Sequence, residues 1–554
     1  MTPRHASACG RATLAILLLF VARSARAERL FVGILEADSY QSVIYGASAF
    51  SRVADLPFAL ELVQTSLAKN MRLPSFAGIS ASDTLRIVQT IDPALPLAAD
   101  NPASVALIPL ADNGAAAREA FAAAYKTRTP MDPFTLFETP ADTNLTARVA
   151  VAFTGHHLLT STSRSALAWA WENRAKLIDA PPQSIPGTFR VLVNPQRFAD
   201  LLGSRSEKAS AFVNLDKLIR DFESLSFSLT LDGQALAFTV RGRPQKGSPL
   251  DALAASWRAP SAHLWNGVPD NAFFVSLSAC DRPELWEPYL GKSRSRLLDP
   301  MADLVPSSSL TGERLSYLAP NQGGQGLCFV QIEPVTNAAP VRDAIQRLHT
   351  ADKGSDVVLT QRPRRRAAGT PIESYAIAVR PPDVGADGKP DQPSLLFPLL
   401  SLFLKQAVLE TAVTNGYLIT VIGKPDSLEG ELPALAFPEK TLNLRRRIGG
   451  QDPALNGNLT AGASLYVAAL LRHVVSLMPE VKPEQISKLP AGGDGAMFGV
   501  SLSDDRTLTA SLRFQSNEIA ALQRINREGR EVLQELFFQM FAKQMMKQQV
   551  PPGN

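Results

Sequence analysis

Outside the first 27 residues the chain holds two thiols, Cys280 and Cys328. In an oxidising compartment two cysteines can pair, whereas two alone cannot complete a four-ligand zinc site. Cys280 ends one apolar run and Cys328 opens another. If those runs are antiparallel neighbours, their ends meet and Cys280–Cys328 is a possible disulfide. His156 and His157 are the densest imidazole pair. Neighbouring strand residues face opposite sides, so both rarely reach one ion. His263, His349 and His473 lack the H-x-x-x-H and H-E-x-x-H spacings. A serine nucleophile would need a G-x-S-x-G elbow and a phosphate loop G-x-x-x-x-G-K-[ST]; neither string occurs. The Gly-rich piece 490–499, PAGGDGAMFG, precedes an apolar strand and reads as a turn. Asp38 and Asp281 fall where helices should start and read as N-caps. Glu36 lies two residues before Asp38, but Ala279 stands at the matching place before Asp281, so paired catalytic acids are not indicated. No catalytic, cofactor or metal residue is assigned on these grounds, and non-enzymatic function is expected.

Charge narrows the partners. The chain has 554 residues with 56 basic and 52 acidic side chains. All four excess charges, Arg4, Arg11, Arg23 and Arg26, lie in residues 1–27, which carry no acid. That segment has a basic start, an apolar core ATLAILLLFVA (12–22) and a small-x-small end, ARA (25–27). It reads as a signal peptide cleaved after Ala27, leaving a mature chain from Glu28 in the periplasm or outside the cell. The mature chain is then neutral, which removes the basic footprint of a nucleic-acid binder. The core is too short to span a bilayer, so no transmembrane helix is expected. The strongest local charge is QRPRRRAAGT (361–370), with Arg362, Arg364, Arg365 and Arg366. Followed by PPDVGADGKPDQP (381–393), it reads as a solvated loop region, 361–393.

Five segments recur in the same order. Residues 29–43 match 272–286, 106–121 match 330–345, 152–164 match 412–424, 187–202 match 462–477, and 226–241 match 498–513. Each pair reads as strand into helix or as a hairpin. Gly155 and Asn415–Gly416 are the tight turns of one hairpin pair. Phe227, Leu229 and Leu231 alternate with polar residues, turn at Asp232–Gly233, and resume at Leu236, Phe238 and Val240. STSRS (161–165) follows a strand and should cap the next helix. The expected fold class is α+β: two tandem related units, 28–262 and 263–554, each a mainly antiparallel sheet with packed helices on one face.

Helical spacing continues over 517–548, which reads as one long C-terminal helix. Its end carries Phe537, Phe538, Met540, Phe541, Met545 and Met546, a possible partner or lipid surface.

The segments AFTGHHLLTSTSRSALAWA (152–170), GTFRVLVNPQRFADLL (187–202) and SFSLTLDGQALAFTVRG (226–242) resemble uncharacterised exported bacterial proteins built from duplicated α+β units. The resemblance implies that fold and carries no catalytic residue. The expected function is a non-enzymatic binding or scaffold component of the bacterial envelope, with an envelope protein, glycan or lipid as partner. The alternatives are a periplasmic carrier of a lipid or other apolar ligand, and a hydrolase with a dispersed, motif-free site.

Overall fold

The computed structural model describes residues 29–55, 60–93, 95, 102–141, 145–180, 185–203, 214–261, 264, 268–289, 304–321, 324, 326–348, 357–379, 407–431, 455, 458–477 and 481–528. Residues 1–28, the Met/Phe cluster Phe537–Met546 and residues 381–393, which the sequence suggests form a loop, lie outside the described residues. The chain divides into two compact units, Met1–Lys246 and Gly247–Asn554.

The first unit is built on ten strands, all neighbouring pairs antiparallel. Across the sheet they run β10 (Ala235–Pro244), β9 (Phe222–Leu231), β8 (Phe189–Val193), β1 (Leu30–Ala37), β2 (Leu85–Ile91), β3 (Ala103–Pro109), β7 (His157–Ser161), β6 (Arg148–Phe153), β5 (Phe134–Pro140) and β4 (Tyr125–Met131). Helices α1 (Tyr40–Val53) and α2 (Leu60–Met71) lie between β1 and β2, and α3 (Ala115–Ala124) between β3 and β4. Between β7 and β8 come α4 (Arg164–Glu172) and α5 (Arg174–Ile178); between β8 and β9 come α6 (Pro195–Gly203) and α7 (Leu215–Arg220).

Helices cover both faces of this sheet, not one. Ala106, Ile108 and Leu158 pack with Val43 of α1, Met71 of α2 and Phe121 of α3. The opposite side chains, Leu107, Val105 and Leu159, pack with Ala166, Leu167 and Ala170 of α4. The one-sided alternation that suggested a single covering layer belongs to β9 and β10, at the flank. In β3 every residue of ASVALIP is buried, as a strand covered on both faces must be.

The caps are local. Ser39, not Asp38, caps α1, its hydroxyl accepting from Ser42 N–H at 3.0 Å. Asp38 is free of that role and reaches Arg190 at 2.5 Å. Ser163 caps α4, within the STSRS stretch read as a cap.

The second unit begins with α8 (Pro249–Ser256), ahead of the 262/263 join expected from the sequence. Its strands run β21 (Leu508–Gln515), β20 (Ala496–Leu502), β19 (Asn458–Leu465), β11 (Phe274–Ala279), β12 (Glu313–Pro320), β13 (Leu327–Pro334), β18 (Tyr417–Gly423), β17 (Val408–Thr414), β16 (Thr370–Val379) and β14 (Val357–Gln361), again antiparallel throughout. The short β15 (Arg365–Ala367) also pairs with β16. Asn415 and Gly416, both at positive φ, turn β17 into β18. Helix α9 (Ala338–Arg347), capped by Asn337, buries Val341, Ala344 and Ile345 against Tyr375, Leu409 and Leu418. The other face of the sheet packs Val275, Leu277, Leu315, Tyr317, Val330, Ile332 and Ile419. Helices α10 (Ser427–Glu431), α11 (Val467–Ser476), α12 (Pro483–Lys488) and α13 (Ser516–Glu528) complete the unit. Of the C-terminal helix expected over 517–548, the described residues include only the part within Ser516–Glu528; the rest lies outside them.

Candidate functional site

Three strands of the first unit bring charge into the sheet. In register, Arg190 of β8, Glu36 of β1 and Arg86 of β2 stand opposite one another. Their side chains therefore share one face. Arg86 Nε donates to Glu36 at 2.9 Å, and Arg190 Nε lies 3.8 Å from the same carboxylate. The remaining Arg86 donors reach the carbonyls of Leu177, Ile178 and Ala180, at the end of α5. A cation at a helix C-terminus is favoured by the helix dipole. Glu36 is thus not an isolated acid. It is the counter-charge of two buried arginines, and the arrangement ties α5 to β1, β2 and β8.

His156 and His157 sit where β6 turns into β7. The turn is closed by Thr154, whose hydroxyl accepts from His157 N–H at 3.0 Å. Burial pushes the His157 imidazole below its ordinary value, and the Arg86 charge and His156 push it the same way. Neither imidazole bonds a carboxylate or hydroxyl among the described residues.

Cys280 and Cys328 are both buried, and neither is in a disulfide. The strands that carry them are not neighbours: β12 runs between β11 and β13. Cys280 N–H donates to Gly312, just before β12, whereas Cys328 pairs with Ala319 near its other end. At about 3.4 Å of rise per residue, the backbone positions of the two cysteines stand about 24 Å apart along the strand, against the roughly 4.4–6.8 Å Cα separation that a disulfide needs. The expected pairing fails because one intervening strand reverses which ends meet. Cys280 Sγ instead lies 3.2 Å from Ser256 Oγ.

Cys328 lines a small cleft with Asn321, Lys424, Asp426 and Ser427, about 160 Å³ in volume. That is below the usual range for an organic ligand, roughly 300–1,000 Å³. It brings together a thiol, an amine and a hydroxyl from the β12–β13 turn and the start of α10, residue types that the sequence leaves far apart.

Arg362, Arg364 and Arg366 of the basic run are exposed, as a solvated segment would be, but the run is partly paired. Arg365 bonds Glu410 at 2.8 Å and Glu429 at 2.9 Å, and lies 3.3 Å from Asp426. Arg364 pairs with Glu373. Burial would lower the Arg365 pKa, but the bond to Glu410 and the charges around it outweigh burial and raise it. Glu410 also accepts from the N–H groups of Asp426 and Leu428, tying its strand to α10. The Arg365–Glu410 pair spans 45 positions and needs β17 beside the run; Glu373 is close in sequence to Arg364 but meets it only because β16 folds back along the run.

The Gly-rich turn does hold an anion, and the anion is the protein's own. Glu518 of α13 accepts from Gly493 N–H at 2.9 Å and from Ala468 N–H, in the first turn of α11, at 2.8 Å. A Cβ at Gly493 would collide with the backbone N of Glu518. The glycine is required by that close approach.

Among the described residues no group of three or more His, Cys, Asp or Glu is placed to hold a metal ion, and no helix is long and apolar enough to cross a membrane. The two most exposed large apolar side chains among the described residues lie on α1 and α2, Tyr45 at 63% and Leu62 at 71%, with Val53 and Leu60 of the same helices also in solvent. Comparison of the chain with family models, curated proteins and solved structures finds no match.

Proposed function

We propose that this is an exported, non-enzymatic binding or scaffold component of the bacterial envelope, made of two units descended from one duplicated α+β module. The signal-like start at residues 1–27 supports export, with a mature chain beginning at Glu28. The duplication draws support from the strand order. Around β1 the partners run 10-9-8-1-2-3-7-6-5, and around β11 they run 21-20-19-11-12-13-18-17-16. The recurring sequence segments fall on corresponding elements: β1 and β11, β3–α3 and β13–α9, the two hairpins, and β8–α6 and β19–α11.

The observation that carries the binding reading is the α1–α2 surface. Tyr45, Val53, Leu60 and Leu62 expose apolar area that would be favourable to bury against a partner. Meanwhile the buried carboxylates Glu36, Glu410 and Glu518 are engaged by donors of their own units. They hold the framework, where a catalytic acid would face a substrate.

The test is affinity capture from envelope extract with the mature protein and with a Tyr45→Ser/Leu62→Gln variant of unchanged circular dichroism. The reading expects a protein, glycan or lipid partner retained by the former and lost by the latter. Equal recovery from both, or no partner at all, overturns it. Cell fractionation with N-terminal sequencing checks export separately.

A further inference from the structure

The first unit buries one cation without an anion. Arg72 follows α2 at a φ of 58° and is 4% exposed. Its guanidinium donates to Asn70 O at 2.9 Å and to Ser104 Oγ at 2.6 Å, both neutral acceptors. Among the described residues no carboxylate is within ion-pair distance of it. A guanidinium has five N–H donors, so more than half remain to be used. Carbonyls at the C-terminal end of α2 offset part of the charge. Arginine is not expected to shed its proton near neutral pH, although burial lowers this one to about 10.

A second observation points to the same place. Ser104 of β3 stands opposite Gln89 of β2, so the two side chains share a face. Gln89 is fully buried, and both its amide oxygen and its amide nitrogen lack a hydrogen-bond partner. Buried polar atoms are rarely left so, because each has given up its bonds to water. Thr160, on the neighbouring β7, donates to Met71 O at 2.6 Å and locks the end of α2 over this face. Two residues on, Thr162 carries another buried hydroxyl without a partner.

We propose that Arg72, Ser104 and Gln89 form a buried site for a small inorganic anion of halide size, chloride being the probe. The donors are of the right kind, guanidinium N–H and carboxamide N–H, and Ser104, which accepts from Arg72, stands beside both. The closed surroundings, with Ser104 2% exposed, exclude an organic acid. Filling the site satisfies the guanidinium charge and the Gln89 amide nitrogen together, and it makes the α2–β2–β3 junction sensitive to halide.

The experiment is thermal unfolding of the whole mature protein in sodium chloride against sodium gluconate at constant ionic strength. A ligand bound only by the folded state raises Tm in a saturable way. We expect an upward shift of about 5 °C at hundred-fold excess over Kd. Gln89→Leu and Arg72→Met should abolish the difference between the two salts. A bromide-soaked crystal should show anomalous density beside Arg72. Identical melting curves in both salts, a chloride response that persists in Gln89→Leu, or no bromide at Arg72 overturns the proposal. The salt series on the unsubstituted protein and the bromide map decide it even if Arg72→Met does not fold.

Discussion

Glu36 and Arg86 face each other across β1 and β2 with Nε and Oε1 2.9 Å apart, both almost fully buried. The pair bridges 50 residues of sequence, and Arg190 approaches the same carboxylate from the strand on the other side. A buried pair of this kind adds little against a well-packed apolar replacement, but removing one member strands the other. Glu36→Gln keeps the shape and deletes the charge. It should cost about 3–5 kcal/mol, read as a drop in the urea midpoint. Asp38→Asn, at a carboxylate 53% exposed, should cost no more than about 1 kcal/mol. Equal losses from the two substitutions would contradict the role given to Glu36.

Two glycines should respond in opposite directions. Gly312 has φ +76°, and a Cβ there would run into the carbonyl of Cys280. The obstacle is backbone, held by the Cys280 N–H bond to Gly312 O at 2.9 Å, so it cannot swing aside. Gly312→Ala should destabilise the second unit severely. Gly155, in the β6–β7 turn, would meet nothing within 4 Å. Gly155→Ala should be neutral or stabilising by up to about 1 kcal/mol, through the lower entropy of the unfolded chain. Melting temperatures of the two variants check this.

Burial pushes the Tyr375 phenol up to about 12, with the Glu373 charge adding to the shift. Its hydroxyl donates to Ile345 O at 2.8 Å, at the end of α9. The folded pKa lies above the unfolded value near 10. The associated stability is therefore complete below about pH 10 and lost as pH rises from about 10 to about 12. Burial raises Tyr125 to about 12 as well, so phenolate absorbance should show late-titrating tyrosines, with one fewer in Tyr375→Phe. The substituted protein should also lose less stability across that interval. A titration curve unchanged by Tyr375→Phe would refute the assignment.

The separation of Cys280 from Cys328 by the length of β12 predicts two unpaired thiols in the protein kept under oxidising conditions. Reducing and non-reducing masses should agree, apart from the reductant's own adducts. Both thiols should be shielded from an exposed-thiol reagent in the native state and react on denaturation. A two-dalton mass difference would show that the strands are arranged otherwise.

Several local features follow from sequence alone. Period-2 alternation marks β9 and β10, an Asn–Gly pair turns β17 into β18, and a serine cluster caps α4. These depend on residues within a few positions of one another, so neighbouring side chains carry the information. The α+β class and the antiparallel sheet follow from the same signals, summed along the chain.

Long-range pairing did not follow. Alternation tells which residues share a face but not which strand lies alongside, nor in what register. For that reason Asp38 was read as a cap, when Ser39 takes the cap and Asp38 meets Arg190, 152 positions away. The arginines at 364 and 365 looked solvated until β16 and β17 brought Glu373 and Glu410 beside them. The cysteines looked close until β12 came between them. Composition and local pattern determined the alternating strands, the tight turns, the α4 cap and the neutral charge balance of residues 28–554. Only the tertiary structure decided which charges neutralise one another, because that requires strands far apart in sequence to lie about 5 Å apart in the sheet.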